Sequence, residues 1–445
     1  MQAPHIKRIA ASPSTLLELH AARPDRYPAL FASAAVGLPL GQFDILFAFP
    51  GEQFSSPSRA DASSFLTRLD ERWNRERVAS SPAHLPFHGG WLIYLSYELA
   101  AEIEPRLRLP QSAGPIAQAM RIPAAMIYEH ATGNGWVMAE QGSEELLDAM
   151  QADVASIAVP SVSALDLLAG QIDEDPPEQY LRAVARALEY IAAGEIYQAN
   201  LSRGWYANLC AGMNSVDLYR RLRETNPGPF SASAHLGELS IVSSSPERLV
   251  SIRDGIVATR PIAGTRPRGK DQTSDERLAL ELSSNPKERA EHIMLLDLER
   301  NDLGRVCEAG SVSVDEFMTI ESYAHVHHIV SNVSGRLRAQ VSPGQVLAAV
   351  FPGGTITGCP KVRCMEIIAE LEGMARGAYT GSLGYLNRDG SMDFNILIRS
   401  LEVRGQAVSL RAGAGIVADS VPERELEESR AKARGVLNAL SGAAR

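Results

Sequence analysis

The 445-residue chain is 45% apolar and 22% charged, the make-up of a folded globular protein with a sizeable core, which excludes a disordered chain. Its formal charge of −10 is spread along the sequence without a block of Lys or Arg that could track a phosphate backbone, so no nucleic-acid partner is expected. No membrane segment and a cytoplasmic location are expected too: the charge-free run 29–43 is too short for a bilayer and is broken by Gly37, Pro39 and Gly41, and no apolar signal core opens the chain.

In chain order, QFDILFAFP (42–50), GGWLIYLSYELA (89–100) and AAMIYEH (124–130) are apolar runs between turn residues and predict strands. The Ser-, Asp- and Pro-rich stretch 160–177 reads as a connection. Pro176 and Pro177 then open a helix with the stripe Leu181, Val184, Leu188 and Ile191, ending near Gly194. IYQANLSRGWY (196–206) and SIVSSSPERLVSI (240–252) predict strands, and 286–301 predicts a second long helix. Further strands are expected at HHIVSNVSG (327–335), AYTGSLGYL (378–386), FNILIRSLEV (394–403) and AVSLRAGAGIV (407–417). A last helix starts near Pro422, capped by Asp419 or Ser420, with Glu425, Glu428 and Lys432 on one face. Strands and helices come in clusters without strict alternation, which predicts an α+β fold with largely antiparallel sheets.

Few side chains are placed for chemistry by pattern alone. Cys210, Cys307, Cys359 and Cys364 form no CxxC pair and fit packed, reduced thiols. GGTITGCPK (353–361) has the glycine spacing of a phosphate loop, but Cys359 stands where that loop needs lysine, so it is not an ATP site. Its glycines, like Gly413, Ala414 and Gly415, make either a tight turn or a backbone able to approach an anion closely. Glu288 and Glu291 share a helix face with Leu295 and Leu298, and a carboxylate in line with an apolar face suits a hard cation such as Mg²⁺, which takes one or two carboxylates and fills its remaining positions with water or substrate oxygens. Zinc is disfavoured, because His325, His327 and His328 sit in a strand-like run that sends neighbours to opposite faces, and no cysteine stands nearby.

NPKERAEHIMLLDLERNDLGRV, ERELEESRAK, SSPERL, RPIAGT, HHIVSNV, GGTITGCPKVR and AGAGIVADS together resemble the chorismate-utilising enzymes, in the family's order, over roughly 175–440. The resemblance implies two antiparallel sheets packed as a sandwich with helices outside, residues 1–165 completing the sheets and 175–442 binding chorismate. It implies Mg²⁺ on Glu291 and Glu428 with Glu425 close by, and substrate carboxylates held by Arg399, the backbone of Gly413, Ala414 and Gly415, and Lys432, with Thr357 and Tyr385 completing the substrate set. Glu247 matches the general acid, whose task requires a raised pKa, with an ion pair to Arg248 or another arginine as its structural alternative. His328 matches the histidine near the departing hydroxyl. A tryptophan pocket is implied near Ser33, Leu40, Gly41, Gln42, Phe43, Phe230 and Ser231.

Gln198 stands where the water-adding members carry a lysine base, which leaves the ammonia-using members. YQANL (197–201), FDILFAFP and GGWLIYLSYELAAEIEP resemble the aminodeoxychorismate synthases, which place ammonia at C4 for 4-aminobenzoate and folate synthesis. Ala263 in RPIAGT points the other way: many of those enzymes carry there a lysine that adds at C2, and alanine offers no nucleophile. Amination at C2, giving anthranilate, is the alternative. No glutaminase signature occurs in the chain, so a separate glutamine amidotransferase subunit is expected to supply ammonia, and a separate aminodeoxychorismate lyase to follow.

Overall fold

The computed structural model describes residues 3–33, 41–56, 64–79, 84–158, 166–269, 271–322 and 326–442. Two antiparallel sheets, of twelve and ten strands, pack face to face with helices on their outer sides. Single strands show why. In Phe43–Ala48, Ile45 and Phe47 turn into the layer between the sheets, while Leu46 and Ala48 pack with residues of helices Pro13–Ala22 and Ser215–Thr225. In Gly90–Leu95, Leu92 and Tyr94 face the other sheet, and Trp91, Ile93 and Leu95 join the cluster of helices Phe65–Glu76 and Pro343–Val350. A strand covered on both faces needs apolar side chains throughout, so these segments read as unbroken apolar runs.

Strands from the first 140 residues enter both sheets. Ala29–Ala32 pairs with Phe230–Leu236 in the larger, and Gly90–Leu95 pairs with Ser382–Asn387 in the smaller. Two backbone ladders therefore join the early part of the chain to the later part.

Two expected strands are each two strands. SIVSSSPERLVSI divides into Leu239–Ser245 of the larger sheet and Arg248–Arg253 of the smaller. FNILIRSLEV divides in the same way, into Ser400–Arg404 of the larger sheet and Met392–Asn395 of the smaller. These halves pair with one another, so an antiparallel pair leaves one sheet and enters the other side by side. Pro246 has no N–H for a ladder, and Arg399 is left-handed at φ 51°, so each chain has a reason to break where it does.

Other differences are local. GGWLIYLSYELA leaves its strand at Leu95 and turns into the short helix Ala100–Ile103. The last helix, Pro422–Ser441, has no side-chain cap; Ser420 Oγ instead accepts from Val417 N–H at 3.1 Å, and Pro422 starts the helix. Helix Pro177–Ala192 stops as expected, with Gly194 left-handed at φ 76°. Among the described residues no helix is long and apolar enough to cross a membrane.

Candidate active site

The sheet-to-sheet crossings bring Glu247 and Arg399 together. Ile396 N–H donates to Glu247 O at 3.0 Å, Ser245 Oγ donates to Ile396 O at 2.6 Å, and Ser244 N–H donates to Arg399 O at 3.1 Å, so the two breaks are fastened to each other. Glu247 is 4% exposed, and its Oε1 accepts from Thr355 Oγ1 at 2.7 Å. Burial pushes its carboxyl from 4.5 up to about 7; the nearby Glu299 adds to the rise, while Thr355, the Ile262 N–H and Arg399 oppose it. Arg248 does not pair with Glu247, because its guanidinium is bidentate on Asp393 at 2.8 Å for each bond. A buried carboxyl whose pKa is raised toward neutrality is equipped to donate a proton.

His328 reaches the same place from strand Val326–Arg336. It is 2% exposed, its Nδ1–H donates to Gly264 O at 3.4 Å, and burial and then the Arg399 charge hold it down to about 3, so the ring is neutral. The charge of Lys432 on the last helix also lowers it. His327 points away to Asp275 at 2.9 Å and Ser322 at 2.7 Å, the alternation expected of a strand. His325 lies outside the described residues. Ala263 is buried on Ile262–Pro267, and the pairing register slips between it and Thr265. Gly264 at that bulge is left-handed at φ 65°, and a Cβ there would lie 2.8 Å from Glu288 Oε2.

The carboxylates expected to hold a metal lie on two helices. Glu291 is half-buried on Pro286–Gly304, whose neighbour Glu288 is bound by Arg266 at 3.0 Å. Glu425 and Glu428 lie on Pro422–Ser441, both within electrostatic reach of Tyr180, and Glu428 accepts from Lys432 at 2.8 Å. Among the described residues no three His, Cys, Asp or Glu side chains form a metal-binding group. An all-oxygen donor set of two carboxylates fits magnesium, which completes its shell with water and substrate, and does not fit zinc.

Strand Ala407–Ile416 pairs with Ser400–Arg404 only as far as Leu410, so its continuation through Gly413, Ala414 and Gly415 is paired on the side of Gln198–Asn208 alone. One edge of this backbone is thus clear of strand partners near where Arg399 breaks its chain. Gln198 is 7% exposed beside Gly415, and its Oε1 has no hydrogen-bond partner among the described residues. Thr357 is buried with its hydroxyl donated to Gly353 O at 3.0 Å, so it is spent on its own turn.

Tyr385 is elsewhere. It lines a cavity of 1070 Å³ with Ser33, Gln42, Phe43, Phe230 and Ser231, five of the residues expected around tryptophan. Gly41 is buried and outside that lining, and Leu40 lies outside the described residues. Pattern reading passed over Thr355, Glu299, Tyr180 and Tyr379. Thr355 lies inside GGTITGCPKVR, and the one sign of Glu299 in the sequence is a carboxylate between Leu296 and Leu303, both of which are buried. Tyr379, next to the left-handed Thr380, interacts electrostatically with Tyr180, as do Glu425 and Glu428.

Among known proteins, the family model described as chorismate binding enzyme matches residues 38–438. The chain is 43% identical over 412 residues to an anthranilate synthase component I-like protein of Synechocystis sp. (strain ATCC 27184 / PCC 6803 / Kazusa), covering 91% of this chain and 84% of that one. It is 42% identical over 368 residues to aminodeoxychorismate synthase component 1 of Bacillus subtilis (strain 168), covering 80% and 77%. The solved structure of anthranilate synthase component I from Streptococcus pneumoniae TIGR4 superposes with a TM-score of 0.80 at 32% identity, covering 90% of this chain and 93% of that one.

Proposed function

This chain belongs to the chorismate-binding enzyme family, and we propose that within it the chain is the synthase component that exchanges the C4 hydroxyl of chorismate for ammonia, giving 4-amino-4-deoxychorismate. The observation that carries a chorismate amination is the meeting of a buried, proton-bearing Glu247 with Arg399 and a neutral His328 at the paired sheet crossings. Gln198 in place of a lysine base favours ammonia over water. The YQANL segment and the 42% identical relative named aminodeoxychorismate synthase component 1 support C4.

Arg399, Lys432 and the backbone of Gly413, Ala414 and Gly415 grip the two carboxylates of the substrate. Glu247 gives its proton to the hydroxyl as the C4–O bond breaks, so that water leaves; the ammonia lone pair forms the new C–N bond, and the nitrogen then loses a proton. His328 stays neutral and close to the leaving oxygen, where it orients the hydroxyl without adding charge. Glu291 and Glu428, with Glu425 near, would hold a magnesium ion, whose positive charge would offset a substrate carboxylate and help draw electron density from the ring. A separate glutamine amidotransferase supplies the ammonia, and a separate lyase takes the product on toward 4-aminobenzoate.

Ala263 favours a second reading, in which ammonia attacks C2 and the product is anthranilate. Product identity decides between them. The purified chain is incubated with chorismate, Mg²⁺ and ammonium, with and without an aminodeoxychorismate lyase. Lyase-dependent 4-aminobenzoate supports C4 amination; anthranilate formed without lyase replaces it with the second reading, and no consumption of chorismate sinks both.

A further inference from the structure

Glu299 lies on helix Pro286–Gly304 and is 6% exposed, yet the reaction above makes no use of it. Its carboxyl stands against Gly354 and beside Thr259 of strand Ile256–Arg260. The following residue, Thr355, carries the hydroxyl that donates to Glu247 at 2.7 Å. Two buried carboxyls thus grip the turn Gly354–Ile356 from either side. The fit is close, since a Cβ on Gly354 would come within 2.5 Å of Leu298 and 3.3 Å of Glu299 Oε1. Nearby, Asp302 is 3% exposed and is matched by Lys361, whose Nζ donates to it at 2.5 Å and to Val350 O at 3.3 Å. That lysine is hydrogen-bonded to Asp302, and its charge also reaches Glu299.

We propose that Glu299 is a positioning residue for the general acid: through the Gly354–Ile356 turn it holds the Thr355 hydroxyl on Glu247, and as a second carboxyl in the same dry region it resists early loss of the proton of Glu247. This rests on the reading of Glu247 as the acid. The groups facing Glu299 are Asp302 on its own helix, Lys361, Thr259, the Gly354 N–H and Glu247; those facing Glu247 are Glu299, Thr355, the Ile262 N–H and Arg399. Burial lifts both glutamates to about 7. Like charges in a dry setting resist forming together, so ionisation of Glu299 opposes that of Glu247.

The test compares wild type with E299Q, E299A and E247Q, measuring kcat and KM for chorismate consumption across neutral pH at constant free ammonia and saturating Mg²⁺, with thermal unfolding as a check on folding. E299Q keeps the shape of the side chain against Gly354 but not its charge, so the alkaline limb of its kcat/KM profile should move down by on the order of one pH unit. E299A should in addition lose about tenfold in kcat at every pH, with KM for chorismate little changed, as a misplaced acid would cause. If E299A does not fold, the E299Q profile decides alone. An E299Q profile that coincides with wild type overturns the inference. Should E247Q be inactive in that case, the acid assignment stands and only the role of Glu299 falls; should E247Q turn over at the wild-type rate, both fall.

Discussion

Replacing Glu247 by glutamine keeps the side chain's shape, removes its charge, and sets activity against stability. Burial holds the native carboxyl near 7 against 4.5 in the unfolded chain, a separation worth about 3 kcal/mol at roughly 1.4 kcal/mol per pH unit. The native value lies above the unfolded one, so the carboxyl's favourable contribution is complete below pH 4.5 and is lost as pH rises through 7. Glutamine does not titrate. E247Q should therefore match wild type at the acid end of this window and exceed it by up to about 3 kcal/mol above it, while chorismate consumption falls by about 10²- to 10⁴-fold, the usual worth of a general acid. Urea unfolding of both proteins at several pH values measures the first quantity, and steady-state kinetics measures the second. A stability difference that does not change with pH, or one that grows against the mutant as pH rises, would refute the claim that the fold keeps this carboxyl protonated.

Thr355→Val removes a hydrogen bond that favours the ionised form of Glu247. Bonds to charged acceptors exceed neutral ones by about 1 kcal/mol, so the alkaline limb of kcat/KM should rise by about half to one pH unit, opposite in direction to E299Q; a downward move would show the bond acting on the neutral form. Chelation with EDTA should abolish chorismate consumption, and Glu428→Gln should raise the Mg²⁺ concentration for half-maximal rate by about 10-fold or more; turnover unaffected by EDTA would remove the metal from the proposal. Ala263→Lys should shift any mixture of products toward C4 amination, read by lyase-dependent 4-aminobenzoate against anthranilate fluorescence, and an unchanged ratio would show that this position does not direct the attack.

The sheets were legible in the sequence because their strands are apolar on both faces, a composition that single segments such as FDILFA and GWLIYL display without reference to their partners. Most helices were not, because one such as Gln272–Ser284 buries Leu282 alone and carries charges along its length. The candidate site was legible as motifs, which named Glu247, His328 and Arg399, but pattern reading placed Glu247 and Arg399 inside continuous strands. A strand cannot do what the structure does at those two points. Regular alternation would send Glu247 and Arg248 to opposite faces of one sheet and leave each ladder unbroken. Instead Pro246 withholds a donor, Arg399 adopts a left-handed backbone, and the paired chains change sheets together. Arg248 then turns to Asp393 in the smaller sheet, while Glu247 stays at the junction under the Thr355 hydroxyl. The same break ends the ladder beside Arg411, which leaves Gly413, Ala414 and Gly415 with one backbone edge clear of any strand. The acid, the guanidinium and the clear edge are thus consequences of one interruption, and a substitution that restored a continuous ladder there would remove all three.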